Sequence, residues 1–373
     1  MFCQHPLRIL LQQIFLYPPL EDCPLRFHAW DKELLDDPDR IFILDRLRFG
    51  FKLIPESDPS CIVAYESDNY SSATCPDFKP EMDSLFTKEL TLGRISMVLT
   101  KPRCVHPIGC VPKKDSGKSR PITDCSRPHG ISLNDHIKRD LQSLCMNSID
   151  SAVSFSTPYC FYSIVVMESA WRWIPVSPLS PRITKFSLEF GTHDSSQYNY
   201  YVDNRLCFGL SCASFIFNRI SNAIVCMMVR RGFRAVVNYL DDFLIIGSTK
   251  EECQRGLVTL INLLHYLGFN VSWRKVVSPT QRITFLGIEL DSSTMSLRLP
   301  EDKLNRLIDL VNTSSHKASA SKRQLQSLAG SLNFACQFVH GGRTFLRRVI
   351  DCLNKLNHSS HRCRVAPVCI WSH

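Results

Sequence analysis

The chain is 373 residues long, 44% hydrophobic and 21% charged, the balance of a soluble globular protein with room for two or three sub-domains. Forty-four Lys and Arg against 35 Asp and Glu leave a net charge of +9, which suits a polyanionic partner without identifying one. Seventeen cysteines, an odd number without a repeating spacing, argue against a disulfide framework and for free thiols in a reducing, intracellular compartment, cytoplasmic or nuclear. No run approaches the ~18 apolar residues of a membrane span, so no membrane partner is expected. The apolar start, MFCQHPLRILLQQIFLYPP, is interrupted by Arg8, Gln12 and Gln13 and makes a poor signal peptide.

Residues 1–80 are read as an N-terminal extension whose elements the pattern does not resolve; Pro, Asp and Ser cluster as loop over 55–78. Met82, Leu85, Phe86 and Leu90 have helical spacing over 81–93, with Gly93 as the C-cap. HPIGCVPKKDSGKSRPITDCS gives a strand, a Lys/Asp/Gly-rich tip and a second strand, a hairpin bearing Lys113, Lys114, Lys118 and Arg120. YSIVVMESAWRWIPV follows as a strand, and residues 206–231 predict a long buried helix after a break at Phe208–Gly209.

NYLDDFLIIGST, residues 238–249, sets Asp241 and Asp242 where two short apolar strands must turn. Carboxylates fixed side by side repel unless a cation sits between them, and hard carboxylate oxygens suit Mg2+ or Mn2+. EECQRGLVTLINLLHYLGF (251–269) is an amphipathic helix ending at Gly268, and RITFLGIEL (282–290) reads as a strand. Three helical stretches follow from 301, carrying Lys322, Arg323, Arg343, Arg347 and Arg348. The expected fold class is α+β, with a core from about 95 to 290 and a basic helical appendage behind it.

In their order along the chain, the basic hairpin, Ala-aromatic strand, Phe-Gly-Leu loop, Tyr-Leu-Asp-Asp turn, lysine-bearing segment and Phe-Leu-Gly resemble the fingers and palm of reverse transcriptases. The likeness covers roughly residues 95–350. HPIGCVPKKDSGKSRPITDCSRPHGISLNDHI, ESAWRWIPV, YVDNRLCFGLSCASFIFNRIS and KRQLQSLAGSLNFAC give it the flavour of retrotransposon enzymes of the tyrosine-recombinase (DIRS-type) group. The resemblance implies a right-hand polymerase, with fingers and palm over 81–290 and a helical thumb over 291–350. Residues 351–373 are read as a truncated tail before an absent RNase H domain, and their Cys and His spacing fits no zinc pattern.

The resemblance also implies roles. Asp241 and Asp242 would hold two Mg2+ (or Mn2+) ions, Asp241 directly and Asp242 more loosely. Lys113 and Arg120 would touch the triphosphate of a deoxynucleoside triphosphate. Ala170 and Trp171 match the family's Ala-aromatic pair, with Trp171 screening against a ribose 2′-hydroxyl. Phe208 and Gly209 would line the nucleotide site, although the family usually has Pro where Cys207 stands. Lys275 would lie near the phosphates, and Phe285, Leu286 and Gly287 would form the turn of the primer grip. The partner would be an RNA/DNA primer-template, held partly by the Arg-rich helices; oligomeric state is left open.

One position departs from the pattern. The family's third metal-binding aspartate stands four residues before the alanine of the pair, and counting back from Ala170 lands on Val166. Valine has no oxygen to offer a metal. Glu168 is the nearest carboxylate, and strand alternation would put it on the face of Val166 at roughly 6–7 Å, too far for easy rescue. Two readings follow: a polymerase domain impaired in this copy, or a catalytically dead nucleic-acid-binding remnant. An unrelated palm-type enzyme such as a nucleotidyl cyclase would not explain the hairpin, the Phe-Gly-Leu loop and the helical tail together.

Overall fold

The computed structural model describes residues 24–53, 63–112, 119–138, 141, 144–177, 185–188, 199–315, 319–336, 342–356, 358 and 362–364. The chain divides into two compact units. The first joins residues 1–148, 164–245 and 254–278; the second joins 149–163, 246–253 and 279–373.

The first unit contains structure that the sequence pattern did not resolve. Helices α1 (Phe27–Glu33) and α2 (Arg40–Phe49) lie within residues 1–80. They are fastened to the rest of the unit rather than appended to it. Trp30 is fully buried, meets Phe269 edge-on at 6.2 Å and donates its indole N–H to the Leu267 carbonyl at 3.1 Å. Arg219 pairs with Asp39 and lies 3.5 Å above the Phe42 ring. Gly268, at φ +99°, ends the expected 251–269 helix where a Cβ would stand 2.3 Å from the Pro24 carbonyl, so the close approach requires glycine.

Helix α3 (Lys79–Thr91) appears where expected, followed by Gly93 at φ +61°, and buries Met82 and Phe86 with Ile95, Ile108 and Tyr201. Strands β1 (Ile108–Pro112) and β2 (Ser119–Thr123) form the expected antiparallel hairpin, Ile108 opposite Thr123 and Pro112 opposite Ser119. Its tip, with Lys113, Lys114 and Lys118, lies outside the described residues. The short helix α4 (Leu133–His136) starts in a capping box between Ser132 and Asp135.

Strand β3 (Phe161–Val166) is buried along five of its six residues, as befits a β-branched run. It stops at Val166. Helix α5 (Ala213–Arg230) begins later than residue 206 and buries Ile216, Phe217, Ile220, Ala223, Ile224, Met227 and Met228. Strands β4 (Val236–Tyr239) and β5 (Asp242–Gly247) flank the acidic turn, and α6 (Lys250–Leu267) follows. With β6 (Val277–Thr280) they form one sheet in the order β6–β3–β5–β4. Lys275 ends a 3-10 turn, Trp273–Lys275.

The second unit corrects another expectation. Residues 282–290 are two strands, β7 (Arg282–Phe285) and β8 (Ile288–Asp291), paired antiparallel with Phe285 opposite Ile288. Leu286 (φ +51°) and Gly287 (φ +78°) form the two-residue loop, the positive-φ pair of a type I′ hairpin turn. The apolar run, without a turn-forming dipeptide such as Asn-Gly, hides this turn from the strand pattern, while the family resemblance does place a turn at Phe285–Gly287. Lys303 caps this turn, donating to the Gly287 carbonyl at 3.0 Å. Helices α7 (Glu301–Ser315), α8 (Lys322–Ala335) and α9 (Gly342–Asn354) realise the helical tail and pack Leu310, Val311, Leu325, Leu328, Val349 and Leu356 together. Among the described residues, no helix is long and apolar enough to cross a membrane.

Candidate active site

Asp242 pairs with Tyr239 and Phe243 with Asn238, which leaves Leu240 and Asp241 as a two-residue loop between β4 and β5. Leu240 takes φ +54°, a conformation that favours glycine and is costly for a branched side chain. Polar side chains, of which Ser221 and Asn238 are buried, brace it. The Ser221 hydroxyl of α5 lies 2.8 Å from the Leu240 carbonyl and 3.1 Å from that of Phe217. The Asn238 side chain donates to the side-chain oxygen Oδ1 of Asn222 at 2.9 Å and accepts from the Asn147 side-chain amide at 2.8 Å. Sequence reasoning missed Ser221, Asn222 and Asn147. The available signal was Ser221 on the apolar stripe of the helix, where a buried hydroxyl needs a partner.

Burial raises the carboxyl of Asp241 above the usual carboxylate range, opposed by the positive charges of Lys275 and Arg120. Burial, then the neighbouring Asp241 charge, pushes Asp242 up to about 6, with Lys275 acting against them. The folded chain thus concentrates two carboxyls that resist ionising together, within the influence of the hairpin's Arg120 and of Lys275. Lys275 itself is exposed, and its turn is tied to the strand end, since the Ser272 N–H donates to the Val166 carbonyl at 2.8 Å.

Val166 is the last residue of β3, 5% exposed. The next N–H, of Met167, donates to the Asp241 carbonyl at 3.0 Å. Glu168 does not share the strand. It lies in a turn after the strand has ended, is exposed, and precedes Ser169 at φ +51°, so alternation does not carry it onto the face of Val166. The expectation of a shared face is therefore corrected; the positive φ redirects the chain into the 3-10 turn Ala170–Trp173. Among the described residues, no group of three or more His, Cys, Asp or Glu is arranged to hold a metal. Asp241 and Asp242 offer the hard oxygens that a Mg2+ or Mn2+ ion takes, but two adjacent carboxylates do not complete a two-ion set.

Next to Ala170, which is buried, Trp171 stands in a ring stack. Its ring is 5.7 Å from Phe208 at 25° and 6.0 Å from Phe217 at 10°. Arg120 caps the stack, its guanidinium 4.6 Å above the Phe208 ring. The Phe208 loop is fixed from beneath. The Thr123 N–H donates to the Phe208 carbonyl at 3.0 Å, and the Asn134 side chain donates to the Gly209 carbonyl at 2.8 Å while accepting from the Ser211 N–H at 2.9 Å. Gly209 stands at φ +121°, where a Cβ would lie 1.8 Å from the Thr123 carbonyl oxygen. Cys207 is buried 3.9 Å from Cys125, thiol to thiol. Arg172, between the paired tryptophans, bridges Asp203 at 2.7 Å and Glu89 at 2.7 Å and anchors the turn that carries Trp171. Arg120, Ala170, Trp171, Phe208, Gly209, Asp241, Asp242, Lys275 and Val166 all belong to the first unit. Phe285, Leu286 and Gly287 belong to the second, and Lys113 lies outside the described residues.

Residues 111–290 match the family model for reverse transcriptase (RNA-dependent DNA polymerase). The chain is 24% identical over 187 residues to the Gag-Pol polyprotein of avian reticuloendotheliosis virus, covering 48% of this chain and 15% of that protein. It is 24% identical over 195 residues to Protein P of duck hepatitis B virus (strain China), covering 52% and 24%. It therefore spans less than a quarter of one curated relative and about a quarter of the other. The foamy viral protease-reverse transcriptase in complex with RNA/DNA hybrid superposes with a TM-score of 0.63 at 16% identity, covering 92% of this chain and 44% of that one. The form in complex with double-stranded DNA gives 0.62 at 18%, covering 93% and 59%. The mixed helix and sheet architecture is that of a right-hand polymerase.

Proposed function

We propose, from the premise that this chain carries a reverse transcriptase domain, that it is the polymerase part of a retroelement that binds RNA/DNA primer-template and deoxynucleoside triphosphates. We propose further that Val166 impairs its chemistry. The observation that carries the first part is the convergence on one turn. Arg120 and Lys275 act electrostatically on the Asp241–Asp242 pair, while the Phe208–Gly209 loop and Trp171 build a stacked wall capped by the same arginine.

In this reading Arg120 leaves the Phe208 face to fork onto the triphosphate, and Lys275 meets the phosphates as a point charge. Trp171 stands where the sugar is read, with a ribose 2′-hydroxyl meeting the indole. Asp241 and Asp242 hold a divalent ion through hard oxygens. The third ligand of a two-ion centre is the carboxylate that Val166 lacks, and losing it removes several kcal/mol of charge stabilisation. The DIRS-type likeness is retained for the element of origin, and Lys113, Phe285, Leu286 and Gly287 keep the triphosphate and primer-grip roles proposed for them.

A second reading has a specific observation behind it. With Val166 buried and Glu168 turned into an exposed loop, the fold can keep its affinity for primer-template while losing synthesis altogether. A primer-extension assay with Mg2+ or Mn2+ on this chain beside its Val166→Asp variant separates the two. An impaired polymerase gains synthesis with the aspartate; a remnant with further damage stays silent while still binding duplex.

A further inference from the structure

The ring stack contains one member that cannot reach a nucleotide. Phe217 is fully buried on the first turns of α5, with its carbonyl engaged by the Ser221 hydroxyl. Its ring lies at 10° to Trp171, closer to parallel than the 25° of Phe208 on the other side. Phe208, by contrast, is partly exposed, sits in a loop beside Gly209, and carries a cation on its outer face. Of the two neighbours of Trp171, the one seated in a helix and sealed in the core is the fixed reference.

Resting on the nucleotide-binding reading above, we propose that Phe217 is a positioning residue that sets the plane of Trp171 and thereby the preference for deoxyribonucleoside over ribonucleoside triphosphates. Excluding one hydroxyl is a task of fractions of an ångström, and a ring performs it only while its own rotamer is locked by packing. An offset aromatic neighbour supplies that lock; both ring pairs fall inside the 4.5–7 Å range of favourable stacking. Without the underlying ring, Trp171 keeps its bulk and loses its fixed orientation, so a 2′-hydroxyl gains room while the deoxy sugar is held as before. The Ser221 hydroxyl bridges the carbonyls of Phe217 and Leu240, so the residue that steadies the sugar wall shares its helical turn with the one that steadies the acidic loop.

The test needs no catalysis. The full chain is bound to a template and a dideoxy-terminated primer with Ca2+, and the next complementary dNTP or rNTP is titrated for its protection of the complex against a heparin challenge. The unaltered chain is expected to bind the dNTP more tightly. Phe217→Leu should lower that ratio about threefold to tenfold, with dNTP affinity within about twofold. Trp171→Val should lower it further, and Phe217→Leu added to Trp171→Val should change it no more. Phe217→Met, whose flexible unbranched side chain adapts to the space the ring leaves, serves if the leucine variant does not fold.

An unchanged ratio in a folded Phe217 variant of a discriminating chain overturns the proposal and leaves the nucleotide site standing. So does an equal loss of both nucleotides, which marks Phe217 as structural only, or an equal drop in the Trp171→Val background. A chain that binds both nucleotides alike overturns the proposal and the sugar-reading role of Trp171 while leaving the nucleotide site standing; one that binds neither overturns the proposal together with the nucleotide-site reading beneath it.

Discussion

The backbone N–H of Met167 donates to the carbonyl oxygen of Asp241 at 3.0 Å, which fixes the end of β3 beside the acidic loop and makes Val166 the last strand residue before it. Val166→Asp therefore introduces a carboxylate at a buried position already short of water. Without metal, the variant should lose on the order of 2–4 kcal/mol of stability, the cost of burying a charge beside two others. Mg2+ or Mn2+ should recover much of that loss in urea melts. Extension should rise from background to measurable synthesis in Val166→Asp and vanish again when Asp241→Asn is added. Glu168→Gln in the unaltered chain should change little, because Glu168 sits in an exposed turn. Robust synthesis by the unaltered chain that disappears with Glu168→Gln would show that the glutamate had taken over.

The acidic pair also predicts a pH dependence in the presence of a chelator. Asp242 is raised from its ordinary 3.8 to about 6. The folded chain therefore holds this proton more tightly than the unfolded chain, and stability falls as pH rises from about 4 through about 6, then levels. Asp242→Asn removes that loss. Urea unfolding should show the variant gaining on the unaltered chain between pH 4.5 and pH 7.5 by on the order of 2 kcal/mol. A difference that does not grow over that interval would mean the carboxyl ionises freely in the folded state.

Much of this site was legible in the sequence, and what escaped had physical reasons. The hairpin of β1 and β2, the helix ends at Gly93 and Gly268 and the acidic turn follow from short-range signals: turn residues, apolar period and positive-φ glycines. Helices α1 and α2 were missed because α2, RIFILDRLRF, intersperses its few buried residues, Ile43 and Leu47, with charges, and the attachments lie far along the chain, to Leu267 from α1 and to Arg219 from α2. The end of β3 at Val166 was missed because it depends on Ser169 taking a left-handed conformation, which no residue preference announces. The Trp171–Phe217 stack joins residues on separate elements, and pattern alone does not pair them.

Gly209→Ala should destabilise the chain far beyond an ordinary Gly-to-Ala exchange. Its φ of +121° disfavours any Cβ, and the added methyl would stand 1.8 Å from the Thr123 carbonyl oxygen. Thr123 cannot withdraw freely, since its N–H is bonded to the Phe208 carbonyl. A loss of about 3 kcal/mol or more is expected in urea unfolding, along with weakened nucleotide binding as the Phe208 face shifts. A loss below about 1 kcal/mol would mean that the loop relaxes without cost.

Ser221→Ala removes the buried hydroxyl beside the Leu240 carbonyl and leaves that acceptor unsatisfied, at a cost of about 1–3 kcal/mol. Ser221→Thr, which keeps the hydroxyl, should restore part of it. The change should lower Mn2+ affinity as well as melting temperature, because the loop that aims Asp241 loses its tether; an intact affinity would confine Ser221 to the core.

Duplex binding should separate the arginines by their surroundings. Counterion release makes log affinity fall with log salt by about 0.9 per phosphate neutralised on a duplex. Lys322 and Arg323 open α8, and Arg323 is exposed. Replacing both with Ala should weaken primer-template binding and flatten the salt slope by about one to two. Arg347 already shares its charge with Asp351 at 3.1 Å one turn on, so Arg347→Ala should change the slope less. Arg120 lies over Phe208 and acts on Asp241, and Arg120→Ala should weaken nucleotide binding while leaving the duplex slope near that of the unaltered chain. Filter binding at four or five salt concentrations reads all three. If the slope flattens most with Arg120→Ala and stays unchanged with the α8 pair replaced, the duplex lies along the β1–β2 hairpin, and the thumb role given to the basic helices fails.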